Sequence, residues 1–338
     1  MLNQRQADLL KLIVEDYVKT ARPVSSNSLA SIMDVSSATV RNEMVFLEEN
    51  GLIEKTHISS GRIPSEKGYR YYVDNIMKPK ELTGEDMLKL QTIFHNNNLM
   101  LADYITKSVE IVSEMTSLTA VVLGGSSKEN RISRVEVIPL SETAMVAVIV
   151  TDKGHVEHKN IVMEENVNIN DIKKTVDVIN KLIVGTPIDE ASTKLEYEVK
   201  PVIAKCIKQH EVLYNAFYSA FSDFSNSSFT MKGRQNILMQ PEFDDTDRIR
   251  EIISKFEDKE VVNSIKASDE GINIYIGSEN EFDDDVTIIK TKYNVDGEEG
   301  TIALIGPKRM EYDRVISLLD YIIKNINKYT PRRPYEEM

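Results

Sequence analysis

The chain has 338 residues, 41 % hydrophobic and 28 % charged, enough for two or three domains of roughly 100–150 residues and too apolar for a mostly disordered chain. Its single cysteine, Cys206, excludes an intrachain disulfide framework and a cysteine-rich zinc site, and no apolar run approaches the ~18–20 residues of a membrane span. The net charge of −13 lies wholly beyond residue 78, because residues 1–78 hold ten Lys/Arg and ten Asp/Glu, so a local basic face can still meet phosphate while the acidic remainder weakens nonspecific sticking.

Residues 2–20 are expected to form a helix, with Leu10, Ile13, Val14 and Tyr17 on one face. Pro23 stops it. Ser25 and Ser26 are candidate N-caps of a short second helix carrying Leu29, Ala30, Ile32 and Met33. A break at Asp34-Val35-Ser36 precedes a third helix at 37–50, with Val40, Met44 and Leu47 on one face and Gly51 at its end. Residues 52–57 read as a strand and 59–62 as a turn. Pro64-Ser65 opens a fourth helix with Tyr69, Tyr72, Val73 and Ile76. Helix, helix, tight turn, helix, β-wing, helix is the order of a winged helix-turn-helix.

The outward face of the third helix carries Ser37, Ala38, Thr39, Arg41 and Asn42. Short side chains and N-terminal amides there suit phosphate, while Arg and Asn reach base edges. Lys55, Arg62, Lys67 and Arg70 fall close together in sequence, with only Glu54 and Glu66 against them, and Arg62 is expected at the wing tip. The partner these residues predict is double-stranded DNA.

Residues 78–84 read as a linker. Thr83 and Asp86 mark the start of a long helix to about 117, with an interruption expected at Asn96-Asn97-Asn98. A buried strand at 118–123 ends at Gly124-Gly125. Strands follow at 131–139, 144–151 and 155–162, the last two joined by Asp152-Lys153-Gly154. Two helical stripes come next, one through Ile172, Val176, Ile179 and Ile183, the other through Cys206, His210, Leu213, Phe217 and Phe221. The serine-rich 222–228 reads as a boundary. Beyond it the pattern predicts a helix at 246–258, strands near 260–267, 272–276, 286–293 and 300–306, a turn at Asp296-Gly297 and a last helix at 311–328. The tail from Tyr329 is expected to fray.

Several stretches resemble the HrcA family of bacterial heat-inducible transcription repressors. They are Val35-Ser36-Ser37-Ala38-Thr39-Val40-Arg41-Asn42-Glu43-Met44, Ser60-Gly61-Arg62-Ile63-Pro64-Ser65, Gly68-Tyr69-Arg70-Tyr71-Tyr72-Val73-Asp74, Gln240-Pro241-Glu242-Phe243, Ile276-Gly277-Ser278-Glu279-Asn280 and Gly306-Pro307-Lys308-Arg309-Met310-Glu311-Tyr312. Their order and separation span essentially the whole chain, although the family usually has Thr at the position of Lys308.

The resemblance implies an α+β, multidomain fold: a winged-helix DNA-binding domain at 1–78, a discontinuous GAF-like domain at 84–128 and 229–338, and an inserted dimerisation domain at 129–228. It implies a cytoplasmic homodimer that represses class I heat-shock chaperone operons through the inverted-repeat CIRCE operator, modulated by the GroE chaperonin. Ser37, Thr39, Arg41 and Asn42 would lie on the DNA, Arg41 and Asn42 reading bases. Arg62 would reach phosphate or minor groove, and Lys67 and Arg70 would hold the backbone.

Lys308 and Arg309 stand before the last helix, against its positive dipole end, where salt bridges to the acidic body or a contact with the winged helix or insert would compensate them. No nucleophile–base set stands out among the scattered His57, His95, His155, His158 and His210. His155 and His158 point to opposite faces of a strand, and Asp283-Asp284-Asp285 reads as a solvated acidic loop. No enzyme, metal or cofactor is expected. The rival reading is a small-molecule-responsive winged-helix regulator with the GAF-like domain as sensor.

Overall fold

In the computed structural model the described residues are 2–55, 61–94, 101–124, 131–141, 143–152, 154, 156–163, 167–207, 210–226, 229–295 and 298–329. His57, His95, His155, the expected interruption at Asn96–Asn98, the Asp296-Gly297 turn and the tail beyond Tyr329 lie outside them.

The N-terminal unit follows its local signals. Helix α1 (Gln4–Thr20) starts at Asn3, whose side chain accepts the Gln6 amide while the Gln6 side chain accepts the Asn3 amide. Ser25 and Ser36 cap α2 (Ser26–Met33) and α3 (Ser37–Glu49) in the same way, accepting the amides of Ser28 and Thr39. Strand β1 (Ile53–Lys55) pairs antiparallel with β2 (Arg62–Pro64), and Val24 bridges to Arg62. Ser65 caps α4 (Glu66–Asn75). A Cβ on Gly68 would stand 1.9 Å from the Leu52 carbonyl oxygen, so a glycine is what lets α4 start flat against the wing.

The expected long helix is two helices, α5 (Gly84–Phe94) and α6 (Leu101–Thr116). The Asp86 amide donates to Thr83 Oγ1 and the Thr83 amide to Asp86 Oδ2, a reciprocal cap. Strand β3 (Thr119–Leu123) then enters a sheet whose other members arrive more than a hundred residues later.

Between them lie β4 (Ile132–Pro139), β5 (Ala144–Thr151) and β6 (Val156–Val162), an antiparallel sheet in that order. Helices α7 (Ile169–Ile183), α8 (Ile188–Lys194), α9 (Lys200–Cys206) and α10 (His210–Asn226) follow, with one π turn at Leu195–Val199 joining α8 to α9. Their buried residues, from Ile132 to Phe221, form a core of their own. The sequence pattern did not anticipate α8 and α9, although Ile188, Ala191, Leu195, Val199 and Ile203 are all buried there. The expected boundary at 222–228 falls inside α10 as far as Asn226.

The chain returns through β7 (Phe229–Lys232), α11 (Arg234–Leu238), α12 (Thr246–Glu257), α13 (Lys259–Ser264), β8 (Asn273–Ile276), β9 (Val286–Val295), β10 (Glu298–Pro307) and α14 (Tyr312–Ile326). The strand expected near 260–267 is instead α13, because Asp258 accepts the amides of Glu260 and Val261 and opens a helix. The five-stranded sheet has the order β7-β3-β10-β9-β8 and is antiparallel throughout. Alternate residues of β10 serve opposite cores: Ile302 and Leu304 join α6, α14 and the winged helix, while Ala303 and Ile305 join Phe243, Ile252 and Phe256. One continuous apolar core therefore links the N-terminal unit to the central sheet.

In the acidic loop read as solvated, Asp284 and Asp285 are exposed but Asp283 is not. The Asp283 side chain is 2 % exposed and bonds Arg248 at 2.7 Å and Lys255 at 2.7 Å. Burial opposes its ionisation, but the hydrogen bonds from Lys255 and Arg248 outweigh that and hold its carboxyl below the usual range.

Candidate nucleic-acid interface

Helix α3 buries Val40, Met44 and Leu47 against α1 and α2. That fixes Arg41 and Asn42 on its exposed side, followed by the partly exposed apolar Val45 and Phe46. Ser37 and Thr39 sit in the first turn with their hydroxyls already engaged: Ser37 Oγ donates to Asn27 Oδ1 of α2, and Thr39 Oγ1 pairs with the capping Ser36 Oγ at 2.8 Å. These two hydroxyls shape the helix start, and Arg41 and Asn42 project from it.

Of the three carboxylates on α3, which would repel phosphate, Glu43 and Glu48 each have a cation beside them. Glu43 takes Arg5, with the Arg5 Nε to Oε1 distance 2.9 Å, and the Gln6 side-chain Nε2 at 3.0 Å. Glu48 takes Arg62 at 2.7 Å and Lys55 at 3.5 Å. Arg62 is therefore not at a wing tip. It opens β2, its side chain is 10 % exposed, and its charge is spent on Glu48. Lys67 reaches back to the carbonyl of Asn50 at 3.0 Å, where a cation suits the C-terminal end of α3.

Arg70 departs furthest from expectation. Its guanidinium faces the central sheet, donating to both oxygens of Glu279 and, at 2.6 Å, to the carbonyl of Ile274. The pairing with Glu279 raises the Arg70 pKa. At Glu279, burial opposes ionisation but the bonds from Arg70 and the Ile276 amide prevail, and its carboxyl is held below the usual range. Sequence spacing brought Lys55, Arg62, Lys67 and Arg70 together; the fold aims them at Glu48, the end of α3 and a separate sheet. The neutralising roles of Arg5 and Lys55 carry no local sequence signal, since their partners lie on another element.

Lys308 and Arg309 are both compensated. Lys308 bonds Asp285 at 3.2 Å, and Arg309 bonds Glu242 at 2.6 Å, Gln240 at 3.1 Å and the Val18 carbonyl of α1 at 2.9 Å. Among the described residues no group of three or more His, Cys, Asp and Glu is placed to hold a metal ion, and no helix is long and apolar enough to cross a membrane.

A capped three-helix unit with a two-stranded wing and an exposed Arg–Asn pair on its third helix defines a winged-helix DNA-binding regulator. The family model for the winged helix-turn-helix transcription repressor HrcA DNA-binding domain matches residues 1–75, and that for the HrcA protein C-terminal domain matches residues 102–316. The heat-inducible transcription repressor HrcA of Bacillus pumilus (strain SAFR-032) is 39 % identical over 334 residues, covering 97 % of each chain. The chain belongs to the HrcA family, a family of heat-inducible transcription repressors and not of enzymes. A solved structure described as a hypothetical protein at 2.2 Å resolution shares the fold, with a TM-score of 0.69 and 24 % identity over 97 % of this chain and 98 % of its own.

Proposed function

We propose that this repressor acts in the cytoplasm as a homodimer on an inverted-repeat operator of the CIRCE type, and that GroE chaperonin governs how much of it reaches the active form. Residues 1–78 would be the DNA-binding head, 84–128 with 229–338 a GAF-like body, and 129–228 a dimerising insert. The observation that carries the reading is the exposed Arg41–Asn42 pair on a helix two of whose three carboxylates, Glu43 and Glu48, already have cations beside them.

The dimeric part draws support from the three-stranded sheet. Along β5 Met145, Ala147, Ile149 and Thr151 are buried beneath the helices, while Ala144, Val146, Val148 and Val150 face the other way. On that outer face Ile138 is 54 % exposed and Val162 80 %. An apolar sheet face of this kind suits a second copy stacked across a two-fold axis. That axis would relate two heads to two half-sites. The GroE part rests on the family resemblance.

The rival, a small-molecule sensor, needs an enclosed pocket with convergent polar groups. Two clefts on the body, one of about 260 Å³ beside β8 and β9 whose Glu279 is already engaged by Arg70 and one of about 530 Å³ at Leu82, Ile272, Ile316 and Tyr321, are open to solvent and not enclosed, which favours the repressor reading. Hydroxyl-radical footprinting on a CIRCE duplex tests it. The proposal predicts protection of both arms with two-fold symmetry; protection of one arm, or of neither, contradicts the dimeric reading.

A further inference from the structure

We infer that Glu66 and Arg70 on α4, with the turn at Gly277–Glu279, are positioning residues that hold the DNA-reading head at a fixed angle to the body, and that Arg70 serves the operator through this clasp and not through a phosphate. The inference deepens the proposed reading and rests on it.

Glu66 and Arg70 are one helical turn apart, so they share a face of α4. That face meets complementary groups on a single turn. Glu66 accepts the Ser278 amide at 3.1 Å and also the Ser278 hydroxyl. Arg70 forks onto Glu279 and adds the Ile274 carbonyl, the geometry that makes arginine–carboxylate pairs directional. Glu279 is itself pinned by the Ile276 amide at 2.8 Å. Glycine suits position 277: its φ is +55°, and a Cβ there would stand 2.9 Å from the Asp284 carbonyl oxygen and 2.1 Å from Glu66 Oε2, pushing that carboxylate out of the clasp. The stretch Ile276-Gly277-Ser278-Glu279-Asn280 is thereby a receptor for α4.

Beneath this polar rim Tyr69 packs on Tyr312 with ring centroids 6.0 Å apart, both buried. Arg309 adds a second tie at Val18, on α1. Only residues 76–83 connect α4 to α5, and the shared apolar core holding head to body is not directional, so the angle of the head rests on these directional contacts. A dimer gains affinity from its second half-site only when both heads hold the operator's spacing. Loosening the clasp should therefore erase the gain from linkage and leave a single head's binding intact.

The test compares full-length wild type with the E66A/R70A double variant, E279Q and G277A, each on an intact CIRCE duplex and on one with a single arm scrambled, across a salt series. Circular dichroism melts check folding; E279Q, which keeps the side-chain volume, carries the test if the double variant does not fold. The expected result is half-site affinity within about two-fold of wild type, an unchanged salt slope and a loss of about ten-fold or more on the full site. Full-site affinity that stays level or rises overturns the clasp. So does a parallel loss on both duplexes with a salt slope shallower by about one for E66A/R70A, the mark of a phosphate contact by Arg70. If wild type itself binds both duplexes equally, the dimeric reading fails and the clasp inference with it. If wild type prefers the intact site and the variants share that preference, the clasp alone fails.

Discussion

Arg309, from the junction before the last helix, donates to the carbonyl of Val18 at 2.9 Å, joining residues 291 positions apart in the chain. Val18 lies in the last turn of α1, where carbonyls lack helical partners, and the same guanidinium holds Glu242 and Gln240. Its neighbour Lys308 makes one exposed pair. Arg309→Gln should therefore cost roughly 1–3 kcal/mol, and Lys308→Gln under about 1 kcal/mol. The chain has no tryptophan, so urea unfolding followed by circular dichroism is the measurement. Equal effects from the two substitutions would contradict this ranking.

Arg41 and Asn42 should govern specificity, and Arg62 should govern folding of the head. Arg41→Ala and Asn42→Ala are each expected to lose roughly 1–3 kcal/mol of discrimination between operator and scrambled DNA, with unchanged melting. Arg62→Ala leaves Glu48 of α3 with the longer Lys55 pair at 3.5 Å and should lower the melting temperature as well as binding. Competition titrations with both duplexes, run beside thermal melts, separate the two patterns. A normal melt for Arg62→Ala with lost binding would return Arg62 to the DNA.

These contrasts mark what the sequence could disclose. The winged helix was legible because its signals are local: Ser36 caps α3, Ser65 caps α4, and Val40, Met44 and Leu47 repeat at helical spacing. The destinations of Arg62 and Arg70 were not, because a cationic side chain is the same in sequence whether it meets phosphate, Glu48 or Glu279. The strand read near 260–267 gives way to the helix at Lys259–Ser264, where the cap at Asp258 prevails over the β-branched Val261 and Val262. Segment 188–206 was passed over although its buried residues recur at three- and four-residue intervals, the spacing of a helix. The buried state of Asp283 depends on Arg248 and Lys255, each about thirty residues away, which a run of three aspartates cannot reveal.

That buried carboxylate should make stability pH-dependent on the acid side. Its folded-state pKa lies below the unfolded value of about 3.9. The stabilisation is thus fully present above roughly pH 5 and lost as pH falls through the folded value. Asp283→Asn should cost roughly 1–3 kcal/mol at pH 7, less than a fully buried pair, because Arg248 and Lys255 remain partly hydrated and keep Glu251. It should also flatten the decline in stability as pH falls below about 5. Urea midpoints at a series of pH values check both; an undiminished acid decline in the variant would assign it to other carboxylates.

The outer face of the three-stranded sheet should decide oligomeric state. Ile138→Asp and Val162→Asp fall at exposed positions, where the effect on monomer folding is within about 0.5 kcal/mol. Each would place an unpaired carboxylate in the proposed interface. Sedimentation equilibrium should show at least a hundred-fold weaker self-association (about 2.7 kcal/mol) with unchanged thermal melts. Wild-type dimerisation in both variants would move the interface elsewhere.

The most direct test of a specific dimeric repressor is equilibrium binding of the full-length protein to a CIRCE duplex and to a scrambled duplex across a salt series, with and without GroE chaperonin and ATP. The account predicts a preference of about 10³-fold or more for the inverted repeat, with affinity falling steeply as salt rises. Equally weak binding to both duplexes, persisting after chaperonin treatment, would contradict it.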